Sequence, residues 1–209
     1  MNPGVAAPEN AAAVSPEDRA RADFYALIAR LFHAGPDAGL LAAIAGADEI
    51  VAAGTDASLA QAWGALIAAA AAMDAEAARE EYDSVFIGTG KAEITPYASH
   101  YLAESMKESV LVRLRAELAE MGLAREPAAA EFEDHFSGLC EVMRYLILFF
   151  GATDAAVRKQ KSFFLEYLSL CYEDFCGAVM ASPNTNFYKH VARFAKAFLD
   201  VETKSLEMV

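Results

Sequence analysis

The chain is predicted to be all-α, a single-domain helical bundle, on three observations. Apolar residues recur every three or four positions, no segment sustains a period of two, and no hairpin turn dipeptide separates two β-branched runs. With 209 residues, 56% of them apolar, there is ample material for one buried core, and no linker between separate domains is evident.

Residues 1–15 lack a basic n-region and a continuous apolar stretch, so they read as a disordered tail rather than a signal peptide, leaving 16–209 as the helical domain. Ser15-Pro16-Glu17-Asp18 offers an N-cap followed by Pro at the first helical position. Phe24, Leu27, Ile28, Leu31 and Phe32 then keep the helical period until Gly35-Pro36. Short Ala-rich helices are expected over 37–46 and 56–74. The next helix, from about 75 to 87, ends at Gly88, because glycine adopts the left-handed cap conformation without steric penalty.

After a loop through Pro96, Met106, Val110, Leu114, Leu118 and Met121 mark a helix closed by Gly122. Beyond Pro127, a helix from about 131 to 150 concentrates its apolar residues at its C-terminal end, the pattern of a core helix, and Gly151 stops it. Phe164, Tyr167, Leu168, Cys171, Phe175 and Val179 trace one further long helix. Ser182-Pro183-Asn184 breaks it, and Phe187, Val191, Phe194 and Phe198 trace the last.

Composition excludes several functions. Thirty acidic against 17 basic residues give a net charge of −13, a field that repels nucleic acid. Cys140, Cys171 and Cys176 form no CxxC and are odd in number, so they read as buried thiols in a reducing compartment. The longest strongly apolar run, Tyr145 to Phe150, falls far short of the roughly 20 residues that span a bilayer, so no membrane span is expected.

The segment from Glu81 to Tyr101 is the most informative. Gly88-Thr89-Gly90-Lys91 suggests a phosphate loop, but that pattern requires Gly where Val85 stands and Ser or Thr where Ala92 stands, so a helix cap and turn are expected instead. Glu131, Asp134 and His135 are expected within one helical turn. There Glu131 and His135 at i,i+4 could share a metal, as in a metal-dependent hydrolase. The same residues also suit carboxylates complementing a helix dipole, or a recognition role. No Gly-x-Ser-x-Gly elbow occurs and Ser99 cannot pair with its neighbour His100, so no catalytic or metal site is assigned.

Two stretches carry a family resemblance. Tyr82-Asp83-Ser84-Val85-Phe86-Ile87-Gly88-Thr89-Gly90 leads to Pro96-Tyr97-Ala98-Ser99-His100-Tyr101, and Glu133-Asp134-His135-Phe136 precedes Cys140-Glu141-Val142-Met143. With Phe187-Tyr188 opening the last helix, these motifs resemble the TorD/DmsD family of molybdoenzyme maturation chaperones, to which the nitrate reductase assembly chaperones are related.

The resemblance implies a cytoplasmic, cofactor-free helical chaperone without catalytic turnover. Its partner would be the twin-arginine leader, and sometimes the apo body, of a molybdopterin oxidoreductase catalytic subunit, held until cofactor insertion so that export is not premature. In that reading Asp134, with Glu131 and Glu141 as secondary candidates, engages the basic part of the leader and His135 orients the peptide. Tyr97, Ser99, Tyr101 and Phe86 line the apolar side, while Gly88, Gly90 and Pro96 set the course of the loop. The alternatives are the hydrolase centred on Glu131, Asp134 and His135, and a helical adaptor for a leaderless nitrate-reductase-type subunit.

Overall fold

Ser15 opens the first helix as the sequence predicts: its hydroxyl oxygen accepts the Asp18 N–H and donates to the Asp18 carboxylate, each at 3.0 Å. The computed structural model describes residues 14–50, 57–88, 90–123 and 132–208. Among them are nine α-helices and no strand. The helices are α1 Pro16–His33, α2 Ala38–Ala45, α3 Ser58–Ala72, α4 Ala75–Tyr82, α5 Glu104–Glu120, α6 Phe136–Phe150, α7 Asp154–Phe163, α8 Tyr172–Ala181 and α9 Tyr188–Glu207. A π-helical turn, Asp83–Ile87, extends α4, another, Phe164–Leu168, extends α7, and a 3-10 turn, Ala98–Tyr101, precedes α5.

The helices fall into two compact units. One takes the described parts of Met1–Ala29, Tyr97–Cys171 and Leu206–Val209, the other those of Arg30–Pro96 and Tyr172–Ser205.

The second unit is organised by aromatic rings. Phe32 meets Phe175 and Phe86 at centroid distances of 5.0 and 5.8 Å, and Phe86 meets Tyr188 at 5.1 Å. Tyrosine hydroxyls close the end of α1. Tyr82 donates to the His33 carbonyl at 2.6 Å and Tyr188 to the Leu31 carbonyl at 2.8 Å, satisfying acceptors that the last turn of a helix leaves open. Burial raises the Tyr188 hydroxyl far above the usual phenol range, which keeps it a donor.

Glu81 performs the converse service for α9, accepting the N–H groups of Asn186, Phe187 and Tyr188 at 2.7–3.0 Å. Gly35 is required by close approach, because a Cβ there would lie 2.8 and 2.9 Å from Cγ and Cα of Arg79. In the same unit α2 packs on α3, and the Trp63 indole donates to the Asp48 carbonyl at 2.9 Å.

In the first unit α6 packs against α7 and against the π turn that follows it. Leu139, Cys140, Met143, Leu146 and Ile147 form the buried stripe of α6. The buried Gln160 accepts from Arg21 at 3.2 Å, and Tyr167 donates to Glu117 at 2.9 Å.

The structure departs from the sequence expectation in four places. First, the helix expected from about 131 begins only at Phe136, because residues 132–135 are spent in a turn. Second, the single helix expected from Phe164 to Val179 is a π turn, a break and α8. The wider π turn keeps Phe164, Tyr167 and Leu168 on the buried side, so the apolar spacing runs on where the helix does not. Third, α7 escaped notice because only Ala156, Gln160 and Phe163 of its ten residues face inward. Fourth, the C-terminal end of α6 is only partly core, since Tyr145, Leu148, Phe149 and Phe150 remain half-exposed.

Two outcomes follow from the polar ties of the second unit. Glu81→Ala leaves the Asn186, Phe187 and Tyr188 N–H groups at the start of α9 without their acceptor and lowers unfolding stability by about 1–3 kcal/mol, read as a fall in denaturation midpoint at unchanged slope. Glu93 accepts from Ser182 at 2.5 Å and from Asn184 at 2.7 Å, and these bonds hold its carboxyl below the ordinary range. A depressed folded pKa means stability that is present above the unfolded value and lost as pH falls through the folded one. Glu93→Gln is therefore destabilising at neutral pH, and its difference from the parent fades in thermal melts as acidification below the ordinary carboxylate range protonates Glu93 in the folded state.

Candidate functional site

In the first unit a turn from Phe132 to His135, closed by the His135 N–H on the Phe132 carbonyl at 3.1 Å, meets the segment Tyr97–Tyr101. Asp134 makes the connection twice. Its backbone carbonyl accepts the Ala98 N–H at 2.9 Å and its carboxylate accepts the Ser99 N–H at 2.9 Å. Tyr97 and His135 complete the seam as an isolated antiparallel bridge. Asp134 is 3% exposed and His135 5%.

His135 also starts α6. Its Nδ1 accepts the Ser137 N–H at 3.2 Å and lies 2.7 Å from the Ser137 hydroxyl, so that nitrogen carries no proton and the ring acts as an N-cap. The ring stands edge-on to Tyr97 at 5.1 Å, and Tyr97 in turn stands edge-on to Phe132 at 6.0 Å. Phe132 is 56% exposed, and Tyr97, Ser99 and Tyr101 are half-buried. Glu133 ties this turn to α5 through Arg115 at 3.3 Å.

The residues singled out from sequence thus separate into groups. Tyr97, Ser99, Asp134 and His135 are brought together, and Tyr101 continues the same segment with its ring against His100 at 5.0 Å. Glu141 lies farther along α6, exposed and ion-paired with Arg144 at 3.1 Å. Glu131 lies outside the described residues.

Phe86, Gly88, Gly90 and Pro96 belong to the second unit. Phe86, expected to line the apolar side of a peptide site, is instead a ring of that unit's aromatic core at 4% exposure. Gly88 has φ +64°, closes the π turn on the Asp83 carbonyl at 2.7 Å, and would strike the Lys91 carbonyl oxygen with any Cβ, so the loop has its present course only with glycine there. Gly90 also has positive φ, and Pro96 is buried.

Two sequence expectations change. Asp134 and His135 precede α6 rather than lying on it, so the helix face on which Glu131 and His135 would share a metal does not include His135. Among the described residues no group of three His, Cys, Asp or Glu side chains could hold a metal ion. Asp134 spends its carboxylate on a backbone N–H and is a positioning group rather than an open anionic contact. Phe132 went unrecognised because a phenylalanine inside an expected helix reads as core. The signal available was its place directly ahead of Glu133-Asp134-His135.

The arrangement presents exposed and half-buried rings on a polar scaffold. Among the described residues no helix is long and apolar enough to cross a membrane. No curated protein matches the chain. A protein-family model described as nitrate reductase delta subunit matches residues 52–177, a stretch that covers both the Glu81–Tyr101 segment and the Phe132–His135 turn and more than half of the chain. The chain belongs to the nitrate reductase delta subunit family, the NarJ/TorD-like chaperones of molybdoenzyme maturation.

Proposed function

We propose that this protein is a cytoplasmic chaperone that holds the twin-arginine leader, and the unfinished body, of a molybdopterin oxidoreductase catalytic subunit through the surface built on Tyr97 and Phe132. The observation that carries the reading is the exposed Phe132 ring, packed edge-on against Tyr97 and held on a turn that Asp134 ties down. An exposed aromatic on a fixed backbone meets a partner without the entropic loss of ordering a mobile loop.

A twin-arginine leader joins two guanidinium groups to an apolar stretch. The apolar stretch suits the rings of Phe132, Tyr97 and Tyr101. The guanidinium groups suit aromatic faces and the excess of carboxylates in a chain of net charge −13. Release for export requires reversible holding, which micromolar affinity, about −8 kcal/mol, provides. The protein performs no reaction of its own in this role, and needs no cofactor for it.

The roles of the residues differ, and a pair of substitutions separates them. Phe132→Ala weakens calorimetric binding of a synthetic twin-arginine leader peptide by about 5–30-fold with the thermal midpoint unchanged, because the ring is exposed and contributes contact rather than core packing. Asp134→Ala weakens binding and also lowers stability by about 1–3 kcal/mol, since the Ser99 N–H loses its acceptor. Unchanged affinity in a folded Phe132→Ala/Tyr97→Ala double variant refutes the leader-binding reading. Binding of the apo catalytic subunit after deletion of its leader, at full strength, favours the adaptor reading instead.

A further inference from the structure

The C-terminal half of α6 carries a second face that the leader site does not use. Leu139, Met143, Leu146 and Ile147 point into the core, while Val142, Tyr145, Leu148 and Phe149 follow the opposite stripe and stay half-exposed. Tyr145 stacks on Phe149 at 4.9 Å with ring planes 16° apart, and Phe149 and Phe150 meet at 5.5 Å. The C-terminal half of α6 is apolar on both faces, and a partly exposed apolar stripe opposite the core is a surface that a partner can cover.

Charge identifies the partner. In a chain with only 17 basic residues, Arg158, Lys159 and Lys161 fall within four positions of α7, the helix packed on α6. Lys159 places its Nζ 5.1 Å over the Phe150 ring, and Arg158 is exposed one residue before it. Arg144, on α6 itself, is engaged by Glu141 at 3.1 Å. The Phe150 end of the stripe therefore has a basic neighbour in Lys159, with the exposed Arg158 next to it in sequence, on a molecule whose net charge is −13 and whose acids on these two helices are Glu141 and Asp154.

We propose that this face docks an acidic amphipathic helix, with apolar side chains over Tyr145 and Phe149 and carboxylates toward Arg158 and Lys159. The helix-in-groove mode of recognition matches a stripe of this kind, and the guanidinium of Arg158 can take a carboxylate bidentately. An anionic membrane is disfavoured. Tyr145 and Phe149 are stacked on each other, and the net negative charge of the whole chain opposes approach to an anionic leaflet. The face is separate from the leader site: Phe149 is 14 residues from His135 on the same chain, about 21 Å along the helix at 1.5 Å per residue. A partner that touches both would be gripped at the two ends of α6.

The test uses the full chain and a designed, dye-labelled 18-residue helical peptide with one leucine stripe and glutamates elsewhere, titrated by fluorescence anisotropy at low salt. Wild-type protein binds it despite the repulsion between two acidic molecules. Arg158→Glu/Lys159→Glu weakens binding by about 10-fold or more, as does replacing the peptide's glutamates by glutamine. Phe149→Ser weakens binding while leaving its salt dependence intact. Absence of wild-type binding, or equal affinity in the charge-reversed variant, overturns the proposal. So does binding to phosphatidylglycerol vesicles without binding to the peptide. A twin-arginine leader titrated on the same samples keeps its affinity in the charge-reversed variant; a parallel loss there would merge the two surfaces and also overturn it, whereas a leader that never binds wild-type protein counts only against the leader site.

Discussion

The double tether of Asp134 is the constraint on which the candidate site depends. One residue supplies two acceptors of different kinds, a backbone carbonyl for Ala98 and a carboxylate for Ser99, to two successive N–H groups of another segment. Those N–H groups lie at the start of a 3-10 turn, where backbone donors have no partner within the turn. A neutral side chain could accept one of them. Only a carboxylate does so with the added strength of a charge-assisted bond in a nearly dry setting. Because Asp134 is thus fixed, Phe132 and His135 on either side are fixed as well, and Tyr97 has a seam to close against.

His135 extends the same logic into α6. A ring nitrogen that accepts a backbone N–H starts a helix as a serine or aspartate hydroxyl or carboxylate would, but it also presents a planar face to Tyr97. The helix start and the aromatic surface are therefore made by one side chain. The second unit uses carboxylates and phenols for comparable ends. Glu81 holds the first N–H groups of α9, and Tyr82 and Tyr188 hold the last carbonyls of α1. In both units the polar groups that matter most are spent on helix ends, where backbone valences are open.

The helical class was legible because periodicity reports which face of a helix is buried, and α1, α5 and α9 largely obey it: Ile28, Leu31 and Phe32, then Val110, Leu114 and Leu118, then Val191, Phe194 and Phe198 are buried, whereas Phe24 and Leu27 are only half-buried and Met106, in the first turn of α5, is exposed. The same signal fails where burial and helicity part company. Across Phe164–Leu168 the stripe continues through a π turn, and in α7 the inward positions include a glutamine, so apolar spacing alone finds neither boundary. The Tyr97 and Asp134 motifs were legible as belonging together, but their division of labour was not. Sequence shows a carboxylate beside a histidine. It does not show that the carboxylate faces a backbone N–H and the neighbouring phenylalanine faces solvent.

Charge explains why the anionic groups can be divided in this way. A chain with 13 more acids than bases has carboxylates in excess of what any one peptide contact needs. Asp134, Glu81 and Glu93 can therefore be committed to backbone and side-chain donors within the fold while the net negative field of the chain persists, since long-range steering depends on the sum of charges rather than on particular ones. In the proposed leader-binding role, short-range specificity falls to groups that are both ordered and exposed. In the first unit those are aromatic rings, and they gain their order from the carboxylate that no longer faces the solvent.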